Sequence, residues 1–161
     1  ADVETDEVRP NGEFSEWRWT SDGEGLPGPA NVIQLLRVAL AAAPHDLVAL
    51  ARRWMAAFNA RDLDALVGLY HADAVHLSPK LRVAQPATEG RIAGHEALRR
   101  WWGDAFARLP GMRYEEISAT ADGERVWLLY RRLVPGEAEL AVAELFEVRG
   151  GLIYQSSVYH G

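Results

Sequence analysis

Residues 112–160 divide into four strand-like segments with short turns between them, and this pattern constrains the fold more than any other feature. The segments run over 112–120, 125–134, 139–148 and 152–160. The connections contain Asp122-Gly123, Pro135-Gly136 and Gly150-Gly151, and two-residue Asp-Gly and Gly-Gly connections are typical of β-hairpins. The sequence therefore predicts an antiparallel sheet of consecutive hairpins at the C-terminal end.

The part of the chain before this sheet has helical periodicity instead. Apolar residues recur every three or four positions in three stretches, 47–58, 63–70 and 98–109. Between the second and third stretches, residues 74–78 alternate like a short strand that ends at Pro79, and residues 80–93 resemble a loop with a short strand. Helices followed by an antiparallel sheet indicate an α+β fold.

The N-terminal part differs in composition from the rest. Residues 1–28 are rich in Gly and Pro and carry eight acidic and two basic side chains, so they account for the whole net charge of −6. We expect them to form an irregular arm. Residues 29–45 contain an almost entirely apolar helical run, 30–43, which ends at Pro44 and needs cover on more than one side. The prediction is an arm over 1–28, an extra apolar helix within 29–45 and one domain over 46–161.

Composition excludes several classes of protein. The 161 residues include no Cys, which excludes disulfides, thiol nucleophiles and Cys-ligated zinc. A net charge of −6 argues against non-specific binding to nucleic acid or to an anionic membrane surface, because both need clustered positive charge. No apolar run approaches the roughly 18 residues of a membrane span, and the acidic, polar N-terminus is unlike a signal peptide. We expect a cytoplasmic protein that binds neither nucleic acid nor membrane.

Glu144 is the clearest candidate for chemistry. Side chains alternate along a strand, so Glu144 shares one face of segment 139–148 with four apolar residues, Leu140, Val142, Phe146 and Val148. A carboxyl group in apolar surroundings has a raised pKa, because desolvation disfavours its charged form, and it can act as a general acid or base near neutral pH. The alternative is a structural carboxyl, hydrogen-bonded or paired with Arg131 or Arg132 on the neighbouring strand.

Two histidines and several aromatic residues are further candidates. His76 and Ser78 share one face of the first strand, and His160 lies on the last strand. A histidine among apolar neighbours is more often a satisfied core residue than a catalytic one, so both roles stay open. Six aromatic residues have spacings that suit a core but would line a pocket in a hollow fold: Trp54, Tyr70, Trp101, Trp102, Phe106 and Tyr130.

None of the short motifs supports a cofactor or metal site. Residues 23–28 match the Gly-x-Gly-x-x-Gly dinucleotide fingerprint in letters, but they include a Pro and no parallel βαβ unit surrounds them. His71 with Asp73, and His95 with Glu96, lack the spacing that places metal ligands on one face. We therefore expect no metal and no cofactor.

Three stretches of residues 46–161 carry a family resemblance, namely 54–76, 89–98 and 144–153. They resemble the nuclear-transport-factor-2-like (NTF2-like) superfamily and, within it, the SnoaL-like polyketide cyclase and ketosteroid isomerase branches. The resemblance implies a cone-shaped, curved antiparallel sheet of the cystatin-like type, wrapped around three helices and enclosing a small apolar molecule. It also implies a homodimer formed through the outer face of the sheet.

The same resemblance implies positions for functional residues. Ketosteroid isomerases carry a proton-shuttling Asp before the Pro that ends the first strand, and Ser78 occupies that position here. Trp54 stands where those enzymes have an oxyanion-binding Tyr, and His160 where they have a pocket aromatic. Glu144 stands at their protonated Asp, while Val158 stands where limonene epoxide hydrolases need an Asp. The resemblance therefore implies that Glu144 is an inward-facing acid. It does not imply the steroid reaction itself, because Ser78 replaces the proton-shuttling Asp.

Three function hypotheses follow. The first is a cofactor-independent acid/base enzyme, a cyclase, isomerase or dehydratase (lyase), acting on a small apolar carbonyl or polyketide-like compound. Glu144 would be the acid or acid/base group and His76 the base, and the pocket would be formed by Trp54, Tyr70, Ser78, Trp102, Tyr130 and His160. The second is a non-catalytic small-ligand-binding or dimerisation module of the same fold. A third, an epoxide hydrolase, needs a second inward carboxylate that strand parity does not supply. An open cavity on the order of a few hundred Å³ favours a ligand site.

Overall fold

The computed structural model describes residues 44–160, with side chains from Leu47 onward. The predicted arm and nearly all of the predicted apolar helix over 29–45 lie outside the described residues. Pro44 begins the first described helix, a position that suits Pro because the first turn needs no N–H from it.

Four helices and one 3₁₀ turn are described: α1 (Pro44–Ala60), α2 (Leu63–Val67), α3 (Pro79–Ala84), the 3₁₀ turn Pro86–Thr88, and α4 (His95–Arg108). The three helices predicted from periodicity correspond to α1, α2 and α4. Among residues 44–160, no helix has both the length and the apolar composition needed to cross a bilayer.

The turn between α1 and α2 is set by two charged residues. Arg61 takes a left-handed backbone conformation, with φ 58°, and so ends α1. Its guanidinium donates to the carbonyl oxygens of Phe106 and Leu109 at 2.8 and 3.0 Å, which covers the C-terminal end of α4. Asp62 begins α2 as its N-cap, because its Oδ1 accepts a hydrogen bond from the Ala65 N–H at 2.9 Å.

Six strands form one curved sheet: β1 (Tyr70–Leu77), β2 (Arg91–Ala93), β3 (Arg113–Asp122), β4 (Arg125–Leu133), β5 (Leu140–Arg149) and β6 (Leu152–His160). Their order across the sheet is β2-β1-β6-β5-β4-β3. The hairpins predicted for the C-terminal end are present, and Gly150 and Gly151 both have positive φ in the turn that joins β5 to β6.

Two features differ from the sequence prediction. The pair β1–β6 is parallel, so the sheet is mixed although every other pair is antiparallel. Residues 80–84, expected as part of a loop, belong to α3, because Pro79 is acceptable at the start of a helix and Leu81 is fully buried. The short strand expected within 80–93 is β2.

The core lies between the helices and the inner face of the sheet. The α1 residues at helical spacing, Leu47, Leu50, Ala51, Trp54 and Phe58, are all buried. Trp54 packs against Phe146 of β5, with ring centroids 5.1 Å apart, and stacks on Phe58 at 5.6 Å. Leu98, Trp102 and Phe106 bury one face of α4. The inward face of β5 is therefore covered by helices, and any polar group on it leaves bulk water.

Candidate active site

A cavity of about 500 Å³ opens between the helices and the inner face of the sheet. Its wall includes apolar side chains from α1 and α4 and from β5, such as Phe58, Trp102 and Val142. Seven predicted site residues line it: Trp54, His76, Ser78, Trp102, Tyr130, Glu144 and His160. The volume falls in the range of small-molecule sites, so the described residues leave room for a ligand.

Glu144 projects from the middle of β5 into this cavity and is 1% exposed. Its Oε2 accepts a hydrogen bond from the Tyr130 hydroxyl at 2.9 Å, whereas Oε1 has no partner among the described residues. Burial raises the pKa of Glu144 to about 8, and the Tyr130 hydrogen bond opposes that rise. The side chain is therefore mostly a neutral carboxylic acid at pH 7.

The arginine pairing considered for Glu144 is not formed. Arg131 points away from the cavity and pairs with Glu115 at 2.9 Å. Arg132 is buried and pairs with Glu137 at 2.6 Å. The hydrogen-bond partner of Glu144 is instead Tyr130, a neutral phenol, so no cation stabilises the charged carboxylate by direct contact.

Two tyrosines support this carboxyl group. The rings of Tyr130 and Tyr114 lie 4.4 Å apart, and Trp54 lies within 6.3 Å of both. Burial, and secondly the charge on Glu144, raise the pKa of Tyr130 far above its usual range. Tyr130 therefore keeps its proton and acts as a hydrogen-bond donor to Glu144.

His76 lies on β1 at another part of the wall and is 3% exposed. Its Nδ1 lies 2.7 Å from the Ser156 hydroxyl of the adjacent strand β6, and its ring meets the edge of Trp102 at 5.8 Å. Burial lowers the pKa of His76 to about 4, because an apolar site disfavours the imidazolium ion. His76 is therefore neutral at pH 7 and a weak base.

Tyr70 is placed differently from the other predicted site residues. It is buried behind the cavity wall and does not line the cavity. Its hydroxyl accepts a hydrogen bond from Trp54 Nε1 at 2.9 Å and donates to Ser156 Oγ at 3.3 Å. Tyr70 therefore lies apart from the cavity surface that the other predicted site residues share, because its side chain packs between Trp54 of α1 and Trp102 of α4.

The cavity also has exposed lining residues, which mark its opening to solvent. Val83 of α3 is 81% exposed, and Lys80 and Arg108 are exposed as well. His160 lies partly buried on β6, where burial, and then the charges of Lys80 and Arg132, lower its pKa. The opening of the cavity is thus flanked by basic side chains.

Three residues of this region were not among the predicted site residues. Ser156 is fully buried and holds His76, while Tyr114 and Arg132 line the cavity. The sequence could have predicted that Ser156 faces inward, because Ser156 and His160 are separated by an even number of positions on β6 and so lie on the same face of the strand. Within residues 47–160, no group of three His, Asp or Glu side chains has an arrangement that could hold a metal ion.

Comparison with known proteins identifies the family. Residues 51–156 match the SnoaL-like domain. The chain belongs to the SnoaL-like family. This confirms the resemblance stated for residues 46–161. No protein with a curated description matches the chain.

Solved structures of similar fold support the family assignment. A SnoaL-like protein of unknown function from Burkholderia thailandensis is 24% identical, with a TM-score of 0.65, covering 74% of this chain and 98% of its own. A candidate ketosteroid isomerase from Kribbella flavida is 22% identical, with a TM-score of 0.60, covering 73% and 79%. A candidate polyketide cyclase from Sinorhizobium meliloti is also 22% identical, with a TM-score of 0.60, covering 71% and 97%.

At these identities the structural neighbours show the fold alone. Further solved structures similar to this chain have NTF2-like and cystatin-like folds. The predicted α+β fold with a curved sheet wrapped around helices is thus confirmed. Activity is a separate question, since one fold hosts many chemistries and only the site can argue for one of them.

Proposed function

We propose that this SnoaL-like protein is a cofactor-independent acid/base enzyme of the cyclase, isomerase or dehydratase type. Its substrate would be a small apolar carbonyl or polyketide-like compound held in the conical cavity. The observation that carries the proposal is the Glu144 carboxyl group, which is neutral and buried in the cavity lining and has an Oε1 with no hydrogen-bond partner among the described residues. A titrating group near neutral pH inside an apolar cleft is a feature of sites for proton transfer.

Proton transfer next to a carbonyl group suits this carboxyl. The ionised form of Glu144 takes a proton from the carbon beside the carbonyl, and the electron pair of that C–H bond moves onto the carbonyl oxygen as an enolate. Glu144 then returns the proton to carbon. A pKa of about 8 leaves a working fraction of both forms near neutral pH, which favours one group in both steps.

The assignment of roles changes from the sequence hypothesis in one respect. His76 was expected to be the base, but a neutral imidazole with a pKa of about 4 is a poor proton acceptor at pH 7. The structure therefore favours Glu144 for both the acid and the base role. His76 remains a polar group of the cavity wall.

Deuterium exchange tests this proposal without knowledge of the natural substrate. A panel of small apolar ketones and 1,3-diketones is incubated with the protein in D₂O, and incorporation of deuterium beside the carbonyl is followed by NMR. We expect catalysed exchange that falls about 10²- to 10⁴-fold in Glu144→Gln. The matched control is Glu147→Gln, which makes the same change on the opposite face of β5.

The outcome also separates enzyme from binding module. Exchange that is equal in wild type and Glu144→Gln would remove Glu144 from catalysis. Ligand binding by both proteins without exchange would indicate the alternative, a non-catalytic small-ligand-binding module. That alternative is supported by the neutral state of both Glu144 and His76, since an apolar ligand loses little when it covers uncharged groups.

A homodimer is the second part of the proposal. Three large apolar side chains are exposed on the strands, Ile117 of β3, Trp127 of β4 and Tyr159 of β6. Trp127 and Tyr159 pack together with ring centroids 5.7 Å apart. Contiguous exposed aromatics are a feature of protein contact surfaces, so we propose that a second copy of the chain covers them.

A further inference from the structure

A buried chain of hydrogen bonds leads from α1 across the sheet to His76. Trp54 Nε1 donates to the Tyr70 hydroxyl at 2.9 Å, and the Tyr70 hydroxyl donates to Ser156 Oγ at 3.3 Å. Ser156 Oγ lies 2.7 Å from His76 Nδ1. All four residues are at most 3% exposed, so water does not compete for these bonds.

The direction of this chain follows from the chemistry of its first member. An indole N–H can only donate, so the Tyr70 oxygen accepts from Trp54, and Ser156 Oγ is then the one acceptor among the described residues for the single hydrogen of Tyr70. The hydrogen of the Ser156 hydroxyl then goes to His76 Nδ1, which accepts it. In the opposite direction Ser156 would donate to the Tyr70 oxygen, and the buried Tyr70 hydroxyl hydrogen would have no acceptor among the described residues, an arrangement that folded proteins avoid.

The second ring nitrogen of His76 is the one available to a ligand. A neutral imidazole carries one hydrogen, and because Nδ1 accepts from Ser156 that hydrogen is on Nε2. Nε2 has no hydrogen-bond partner within residues 47–160, and it is not fully buried. His76 lines the cavity, whereas Ser156 and Tyr70 do not.

We infer that Ser156 and Tyr70 are positioning residues that fix His76 in its Nε2–H form, so that His76 donates a hydrogen bond to an oxygen atom of the ligand. This inference rests on the proposed function and makes it more specific. The ligand is then a compound with a carbonyl oxygen at His76 and an adjacent C–H group at Glu144. When Glu144 removes that proton, the negative charge moves to the oxygen that receives the Nε2–H bond, and neither oxidant nor reductant is needed.

The two cavity groups thus take complementary roles. Glu144 exchanges a proton with carbon, while His76 keeps its proton and stabilises charge on oxygen. A hydrogen bond to a charged oxygen is stronger than one to a neutral oxygen, so His76 favours the enolate over the starting ketone. Trp54 also belongs to this arrangement, because its N–H sets the direction of the whole chain.

The tautomer can be measured directly by NMR. In protein with ¹⁵N-labelled histidine at pH 7, two-bond ¹H–¹⁵N spectra show which ring nitrogen carries hydrogen, and His76→Gln assigns the signals by their loss. We expect a protonated Nε2 and an unprotonated Nδ1 in wild type. A signal pattern of the Nδ1–H form, or of an equal mixture, would overturn the inference.

Variants test whether Ser156 and Tyr70 cause this preference. Ser156→Ala and Tyr70→Phe are expected to convert the single tautomer into a mixture. Ser157→Ala is the matched control, because it removes a neighbouring buried hydroxyl that does not contact His76. An unchanged His76 spectrum in a folded Ser156→Ala protein would remove the positioning role.

A pair of probe ligands tests the donor role apart from catalysis. Acetophenone has a carbonyl oxygen, and α-methylstyrene has the same shape without it. Acetophenone is expected to shift the His76 Nε2–H proton downfield, whereas α-methylstyrene leaves it near its free position. No downfield shift up to the solubility limit of acetophenone would overturn the donor role. The shift is expected in Glu144→Gln as well, so failure of the exchange assay and failure of this inference can be told apart.

Discussion

The pH dependence of folding stability tests the state of Glu144 most quantitatively. The folded protein raises the pKa of this carboxyl from 4.5 to about 8. Between those values the folded chain keeps a proton that the unfolded chain has lost, so the free energy of unfolding falls as pH rises. The slope is about 1.4 kcal/mol per pH unit, which gives about 5 kcal/mol between pH 4.5 and 8.

The contribution has a definite sign. It is fully present below pH 4.5, where both states are protonated, and it is lost as pH rises through about 8. A loss of about 5 kcal/mol is large beside a typical total of 5–15 kcal/mol for a domain. Glu144→Gln removes this titration, because an amide does not ionise. The difference in stability between variant and wild type should therefore grow with pH in favour of the variant.

Urea denaturation of both proteins at pH 5, 6, 7 and 8 measures this difference. Other titrating groups, including His76, are present in both proteins, so their effects cancel in the comparison. Glu124→Gln is the control, because it removes an exposed carboxylate in the turn between β3 and β4. Parallel stability curves for wild type and Glu144→Gln would show that Glu144 is ionised in the folded protein and would refute the reasoning.

Four further predictions follow from the described geometry. Catalysed deuterium exchange should rise tenfold per pH unit and level off above about pH 8, where Glu144 is ionised; a rate that falls over this range would exclude it as the base. Wild type should lose about 3 kcal/mol of stability as the pH falls from 6.5 to 4, because burial lowers the pKa of His76 and only the unfolded chain binds the proton in this range. His76→Gln should not show this loss, and equal acid unfolding of both proteins would contradict the prediction. Asp62→Ala should cost about 1 kcal/mol in urea denaturation, because it removes the N-cap bond to Ala65; a change near zero would argue against the cap. Trp127→Ser should lower the dimer fraction in sedimentation experiments, and a monomeric wild type would refute the proposed homodimer.

Much of this site follows from local sequence patterns. Alternation along β5 is sufficient to place Glu144 among apolar side chains on the inward face, and the structure has it 1% exposed. The same parity on β4 places Tyr130 and Arg132 inward and Arg131 outward, so it could have excluded Arg131 as a partner of Glu144. Periodicity of the same kind predicted α1 and α4, because each buries one continuous apolar face.

Local sequence patterns could not predict which strands pair when they lie far apart in the chain. The parallel contact of β1 with β6 joins segments 80 residues apart, and no local pattern specifies which strand lies beside another. That contact places Ser156 beside His76, where it sets the tautomer of His76 and reduces the access of water to the imidazole ring. Burial lowers the pKa of His76 and so disfavours the expected base role, and this burial depends on the neighbouring strand and helix rather than on His76 itself.

Infrared difference spectroscopy addresses the central claim directly, namely that Glu144 is a protonated acid inside the cavity at neutral pH. The spectrum of wild type minus Glu144→Gln should contain the C=O stretch of a protonated carboxylic acid at pH 6, and this band should give way to carboxylate bands at pH 10. A carboxylate signal already present at pH 6 would contradict the account.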